Sequence, residues 1–169
     1  MLALGIDPGT AICGYGLVEQ SGSRLRAVTY GAVQTRSDLE AADRLLKVYE
    51  GIELLIKNYH PDIVGVEQLF FNKNVRTAMA VGQAKGVVLL AAVQNGVSVA
   101  EFTPLQVKQS VVGYGNAAKE QVIYMTQRLL NLSQKPHPDD VADALAVAIC
   151  TLHINGANRI ATKIKEVFS

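Results

Sequence analysis

The order in which two hydrophobic periodicities appear constrains this chain's fold more than any other feature. From Leu2 to Gln34 only strand-like runs occur. Leu2 to Ile6 is a short apolar run stopped by Asp7-Pro8-Gly9, residue types that turn a chain. Cys13 to Glu19 reads as a second strand, Ser21-Gly22-Ser23 as a hairpin turn, and Leu25 to Gln34 as a third strand. A three-stranded antiparallel meander follows. Beyond it the pattern alternates. Ser37 and Glu40 form a capping-box pattern for a helix whose apolar spacing lasts to about Asn58. Ile63 to Val66 is a strand leading into Glu67, Asn74 to Gln94 a helix, and Val97 to Phe102 a fifth strand. Helices near Pro104 to Val112 and Ala117 to Leu130 flank Gly113-Tyr114-Gly115, and a last helix runs from Asp139 to about Leu152. Strands first and alternation afterwards predict an α/β sandwich. Its five-stranded sheet is mixed, antiparallel at the start and parallel later, and flanked by helices.

The 169 residues fit one domain, assigned to 1–155, with 156–169 as a peripheral tail. Apolar residues make up 49% and charged residues 18%, which excludes extended disorder. Sixteen basic and fifteen acidic residues leave a net charge of +1, so any nucleic-acid partner must be held by local clusters of cations. Cys13 and Cys150 lie in apolar settings and read as buried thiols in a reducing cytoplasm. No secretory signal pattern opens the chain, and the longest apolar run, Val87 to Val93, is far short of the ~18–20 residues of a membrane helix. The expectation is a cytoplasmic protein without a membrane partner. Small residues at Ala78, Ala80, Gly82, Ala84 and Gly86 let another element approach the helix they share. Helix-on-sheet packing and a dimer seam both fit them.

Four carboxylates occupy awkward places. Asp7 and Glu67 end buried strands, and in α/β sheets sites form at the carboxyl ends of strands. Asp140 and Asp143 are three apart at the start of an apolar helix and so share a face. Acids converging in this way repel, and a divalent cation relieves the repulsion. Oxygen-only ligands suit Mg²⁺, and a pair of such ions suits phosphodiester hydrolysis. The three histidines show no ligand-like spacing, and no Ser–His pairing stands out. Taken singly, Asp7 also fits a plain turn residue, Glu67 an exposed strand end, and Asp139, Asp140 and Asp143 a helix cap, with Asp139 as the cap itself. A lysine or arginine filling the acid pocket as a permanent counter-ion would argue against a metal.

Local positive charge is available at Lys73, Arg76, Lys85, Lys108 and Lys119, which fit phosphate contacts or ordinary solvated side chains. Phe70 and Phe71 precede the loop-like Asn72-Lys73-Asn74. Two adjacent rings do not easily face one core, so one is available for stacking on an unpaired base.

Several ordered motifs resemble the RuvC family of Holliday-junction resolvases. They are Gly5-Ile6-Asp7-Pro8-Gly9-Thr10 followed by Gly14-Tyr15-Gly16, Val66-Glu67-Gln68-Leu69-Phe70-Phe71, Gly82-Gln83-Ala84-Lys85-Gly86, Gln106-Val107-Lys108-Gln109, and Asp140-Val141-Ala142-Asp143. The resemblance spans about residues 2 to 154. It implies a ribonuclease H-like fold and a homodimer. It also implies paired symmetric nicking of four-way DNA junctions with Mg²⁺ or Mn²⁺, in recombination and repair, alongside the RuvA–RuvB branch-migration complex. The family's catalytic and metal-binding acids match Asp7, Glu67, Asp140 and Asp143, although some relatives carry histidine at the position of Asp140. A junction-inserting aromatic matches Phe70, and DNA-binding lysines match Lys108 and Lys119. Lys85 stands where some relatives have arginine. Asp7-Pro8-Gly9-Thr10 also resembles the phosphate hairpin of actin-like and sugar-kinase ATPases, and a related nuclease group processes ribosomal RNA precursors. A junction-binding scaffold with an idle site stays open as well.

Overall fold

The structure, a computed structural model, describes residues 1–68 and 75–167, and the side chains of 1–68 and 77–156. The meander forms as its alternation requires. β1 (Leu2–Asp7), β2 (Ile12–Ser21) and β3 (Arg24–Gln34) pair antiparallel in sequence. β4 (Ile63–Glu67) then joins β1 in parallel, and β5 (Ser98–Phe102) joins β4 in parallel. The order across the mixed sheet is β3-β2-β1-β4-β5.

Helices cover both faces. On one side α1 (Ala41–Tyr59) and α2 (Val75–Gln94) bury Val48, Ile52, Ile56, Val88 and Ala91 against Leu4, Ile6, Val64 and Val66. On the other, α3 (Pro104–Val112), α4 (Lys119–Leu129) and α5 (Asp139–Val167) enclose Ala3, Val18, Phe102, Leu145 and Ile149. Successive strand residues face opposite ways. Leu4 and Ile6 therefore point to α1 and α2, and Ala3, Gly5 and Asp7 towards α5. By the same alternation Ile63, Gly65 and Glu67 face α5 while Val64 and Val66 face away. Gly5 is required by this packing, because a Cβ there would run into the Ala144 carbonyl and the Ala148 amide of α5.

Three local readings change. α1 begins at Ala41, with Glu40 at the cap position and no side-chain capping bond, so the Ser37–Glu40 box does not form. Arg36 instead grips Asp38 through Nε and Nη2 (2.9 and 2.5 Å) in the preceding turn. A capping box does open α3: Thr103 Oγ1 accepts from the Gln106 amide (3.2 Å) and Gln106 Oε1 from the Thr103 amide (2.8 Å). α5 starts at Asp139 and runs to Val167, past Gly156. A helical glycine costs only about 1 kcal/mol, too little to end a helix by itself.

α2 is, by length and composition, apolar enough to cross a membrane. One side of it is core, at Ala84, Val88, Ala91 and Ala92, while Met79, Leu90 and Val93 are exposed. Its apolarity is therefore split between a packed face and an outward stripe.

Candidate active site

Strand alternation and register bring the acids together. Ile6 and Val66 are parallel partners, so Asp7 and Glu67 end neighbouring strands one residue further on, both on the α5 face. The N-terminal end of α5 adds Asp140 in its first turn and Asp143 just beyond it. A cavity of about 250 Å³ opens at this edge. Asp7, Glu67, Asp143, Lys108 and Lys119 line it above an apolar floor that includes Val107, Val122 and Val147. Asp140 does not line the cavity, but its charge is felt at Asp7.

The electrostatics are those of an under-compensated acid cluster. Burial, followed by the charges of Asp143, Asp140 and Glu67, raises the Asp7 carboxyl to about 7, and Lys119 only partly offsets this. Burial also raises Glu67, with Asp143 adding to the effect and Lys108 and Lys119 opposing it. Lys119 Nζ lies 3.1 Å from Asp143 and 3.3 Å from Asp139. Partial burial alone would lower the Lys119 ammonium, but the hydrogen bonds and charges of these two carboxylates raise it. Even so, Asp143 stays above its ordinary value, because burial outweighs the lysine. The lysine side chain remains 49% exposed. It thus acts as a partial counter-ion at the rim and does not neutralise the site.

The donor set fits a hard divalent cation: four carboxylates, no thiolate and no imidazole, with excess negative charge that Lys108 and Lys119 leave uncompensated. Among the described residues no three His, Cys, Asp or Glu side chains stand close enough together to hold a metal ion as they are placed, so the acids would have to draw in around the cation.

The expected DNA contacts divide. Lys108 and Lys119 line the cavity. α3, which carries Lys108, is tied to α5 by His153 Nδ1, which donates to the Ser110 carbonyl (3.0 Å). Lys85 needs correcting. It pairs with Glu101 on β5 and its own side chain is only 12% exposed, so its charge is engaged by a carboxylate that is itself 39% exposed. Asp139 is also corrected, from helix cap to a first-turn residue that holds Lys119. Phe70, Phe71 and Lys73 lie outside the described residues, as does the side chain of Arg76. Sequence reasoning missed the Lys85–Glu101 bridge, which joins residues on different elements and leaves no local pattern. It also missed the Thr103 box, whose Thr-Pro-x-Gln signal was readable.

A mixed sheet in this order, with acids at the carboxyl ends of β1 and β4 and on the facing helix, defines a ribonuclease H-like nuclease. Residues 3–151 match the family described as crossover junction endodeoxyribonuclease RuvC. The chain belongs to this family, whose members are metal-dependent nucleases. It is 59% identical over 153 residues to the crossover junction endodeoxyribonuclease RuvC of Heliobacterium modesticaldum, covering 90% of this chain and 94% of that one. The corresponding protein of Desulforamulus reducens is 53% identical over 98% of this chain and its own full length. The structure of Thermus thermophilus RuvC in complex with a Holliday junction substrate superposes with a TM-score of 0.84 at 36% identity, covering 89% of this chain and 92% of that one.

Proposed function

We propose that this chain is a metal-dependent endonuclease that resolves four-way DNA junctions by paired symmetric nicks during recombination and repair. The observation that carries the reading is the set of four acids converging on Asp7, its carboxyl raised to about 7, beside a lysine-lined cavity. Asp7, Glu67, Asp140 and Asp143 would hold Mg²⁺, or Mn²⁺ in its place, as a pair of ions. When bound, the cations supply a water nucleophile at neutral pH and stabilise charge on the phosphodiester.

The chain's own residues do the rest. Lys108 and Lys119 draw a phosphate into the cavity. Lys119 is handed from Asp143 and Asp139 towards the developing phosphate charge. The apolar floor limits water and strengthens these charge interactions. Lys73 and Arg76 extend the phosphate contacts, and Phe70 stacks on a base at the junction core. The products are 5′-phosphate and 3′-hydroxyl ends.

The exposed stripe Met79, Leu90 and Val93 supports a homodimer, which two symmetric cuts require. Buried free Cys13 and Cys150 agree with a reducing cytoplasm. Delivery to junctions by RuvA–RuvB belongs to the same reading. The test is nicking of a synthetic four-way junction across a Mg²⁺ titration, with ATP turnover and structured RNA as alternative readouts. Cleavage that needs the metal and disappears in a folded Asp7→Asn protein supports the proposal. Undiminished cleavage by that variant overturns it.

A further inference from the structure

We propose that Arg44 is a positioning residue for strand cleavage, acting through Thr35 on the turn that follows Asp7. β3 runs parallel to β1, being two antiparallel steps away, so its end and the start of α1 lie at the same edge of the sheet as Asp7. There the Thr35 amide donates to the Ala11 carbonyl (3.0 Å) and the Thr35 hydroxyl to the Thr10 carbonyl (2.5 Å). Arg44 Nε donates to that same hydroxyl oxygen (2.8 Å).

A hydroxyl has one proton to give. Since it goes to Thr10, the oxygen must accept from Arg44, and the direction of the relay is fixed: guanidinium to hydroxyl to carbonyl. A charged donor at its head strengthens both bonds. The relay also has a load to bear. In the metal-free protein Asp7 is repelled by Asp143, Asp140 and Glu67, and the residues that follow it lead directly into the turn that Thr35 holds at Thr10 and Ala11. Pinning Thr10 and Ala11 to the end of β3 keeps the strand end in place against that repulsion. Among the described residues Arg44 forms no ion pair, so its charge is available to the relay.

The inference rests on the junction-nuclease reading, and the test separates the two. Arg44→Met, Thr35→Val, the double variant and Thr35→Ser are compared with the parent protein. With protein and Mg²⁺ saturating, single-turnover nicking should fall about tenfold or more in Arg44→Met and Thr35→Val alike, since small misplacements of reacting groups cost up to about 10²-fold. The double variant should be no slower than either single, and Thr35→Ser, which keeps the hydroxyl, should stay near the parent rate. Junction affinity in EDTA, and its salt dependence, should not change. Without DNA, amide exchange over residues 8–12 should quicken about tenfold in Arg44→Met. Unchanged nicking, additive losses, or lost affinity with a shallower salt slope each overturn the proposal, the last by making Arg44 a direct phosphate contact. If Arg44→Met fails to fold, Thr35→Val against Thr35→Ser decides. A parent protein that does not nick junctions sinks the nuclease reading, while the exchange comparison still judges the relay.

Discussion

Gly14, the strand partner of Asp7, lies directly beneath the backbone of Asp140: a Cβ on Gly14 would run into the Asp140 carbonyl. The distance between the α5 acids and Asp7 is therefore set by a missing side chain. Because the obstacle is backbone, Gly14→Ala must lift the start of α5 and cannot be absorbed by a rotamer change. Overpacking of this kind costs about 1–3 kcal/mol. A lowered melting temperature and a nicking rate down about 10²-fold, with junction binding retained, are expected. A variant that melts lower but nicks at the parent rate would show that the seat of α5 does not set the acid geometry.

Asp7 should make the metal-free protein less stable as pH rises. Its carboxyl titrates near 7 in the folded chain against 3.8 without the fold. Between those values the native state holds a proton that the unfolded state has lost, so stability falls as pH climbs through the window. Above it the whole penalty is present. Asp7→Asn removes the ionisation. In EDTA at pH 8 it should be more stable than the parent by about 2–4 kcal/mol, and near parity at pH 4, by urea unfolding. A difference that does not depend on pH contradicts the burial argument.

The same protonation competes with the cation. Metal binding must displace the proton on Asp7, so apparent Mg²⁺ affinity should rise between pH 6 and pH 8. The shift in melting temperature at a fixed Mg²⁺ concentration should grow over that range, since a ligand specific to the native state stabilises by mass action. Equal shifts at both pH values would mean that the cation binds away from Asp7.

Much of this site was legible in the sequence because it follows from periodicity. Apolar runs ending in an acid put Asp7 and Glu67 at the carboxyl ends of strands, which prove to be parallel neighbours, and three-residue spacing put Asp140 and Asp143 on one face of a helix. What stayed hidden depends on long-range pairing. Lys85 looked like any lysine beside small residues, yet Glu101, sixteen residues away on β5, takes its charge. Ser37 and Glu40 had the right spacing for a cap and lost to Arg36–Asp38, a competing local pair. Asp139 was read as a cap because capping is a local property, whereas its partner Lys119 lies on another helix.

The lysines should separate by salt dependence. A phosphate contact contributes about 0.9 to the slope of log affinity against log salt. Lys108→Gln and Lys119→Gln should each lower the slope by about that amount, because both ammonium groups line the open cavity. Lys85→Met should leave the slope alone and change stability by no more than about 1 kcal/mol, because Glu101 stays in contact with solvent. A slope reduced by Lys85→Met would mean that the Glu101 bridge opens onto DNA.

The outward stripe on α2 should control the pairing of cuts. Met79, Leu90 and Val93 are 63%, 51% and 68% exposed, at spacings of eleven and three residues that keep them on one helical face. Their burial against a second copy would remove apolar surface from water at roughly 25 cal/mol per Å². A charge placed on the stripe loses its hydration when a second copy covers it. Val93→Glu should therefore scatter light as a monomer at concentrations where the parent is expected to scatter as a dimer. The acid cluster is untouched, so Mg²⁺ should still raise its melting temperature. On a junction carried by a supercoiled plasmid, the parent protein should release linear product through two cuts in one encounter. Val93→Glu should accumulate singly nicked circles. A monomeric variant that still cuts both strands together would place the coupling elsewhere than in this stripe.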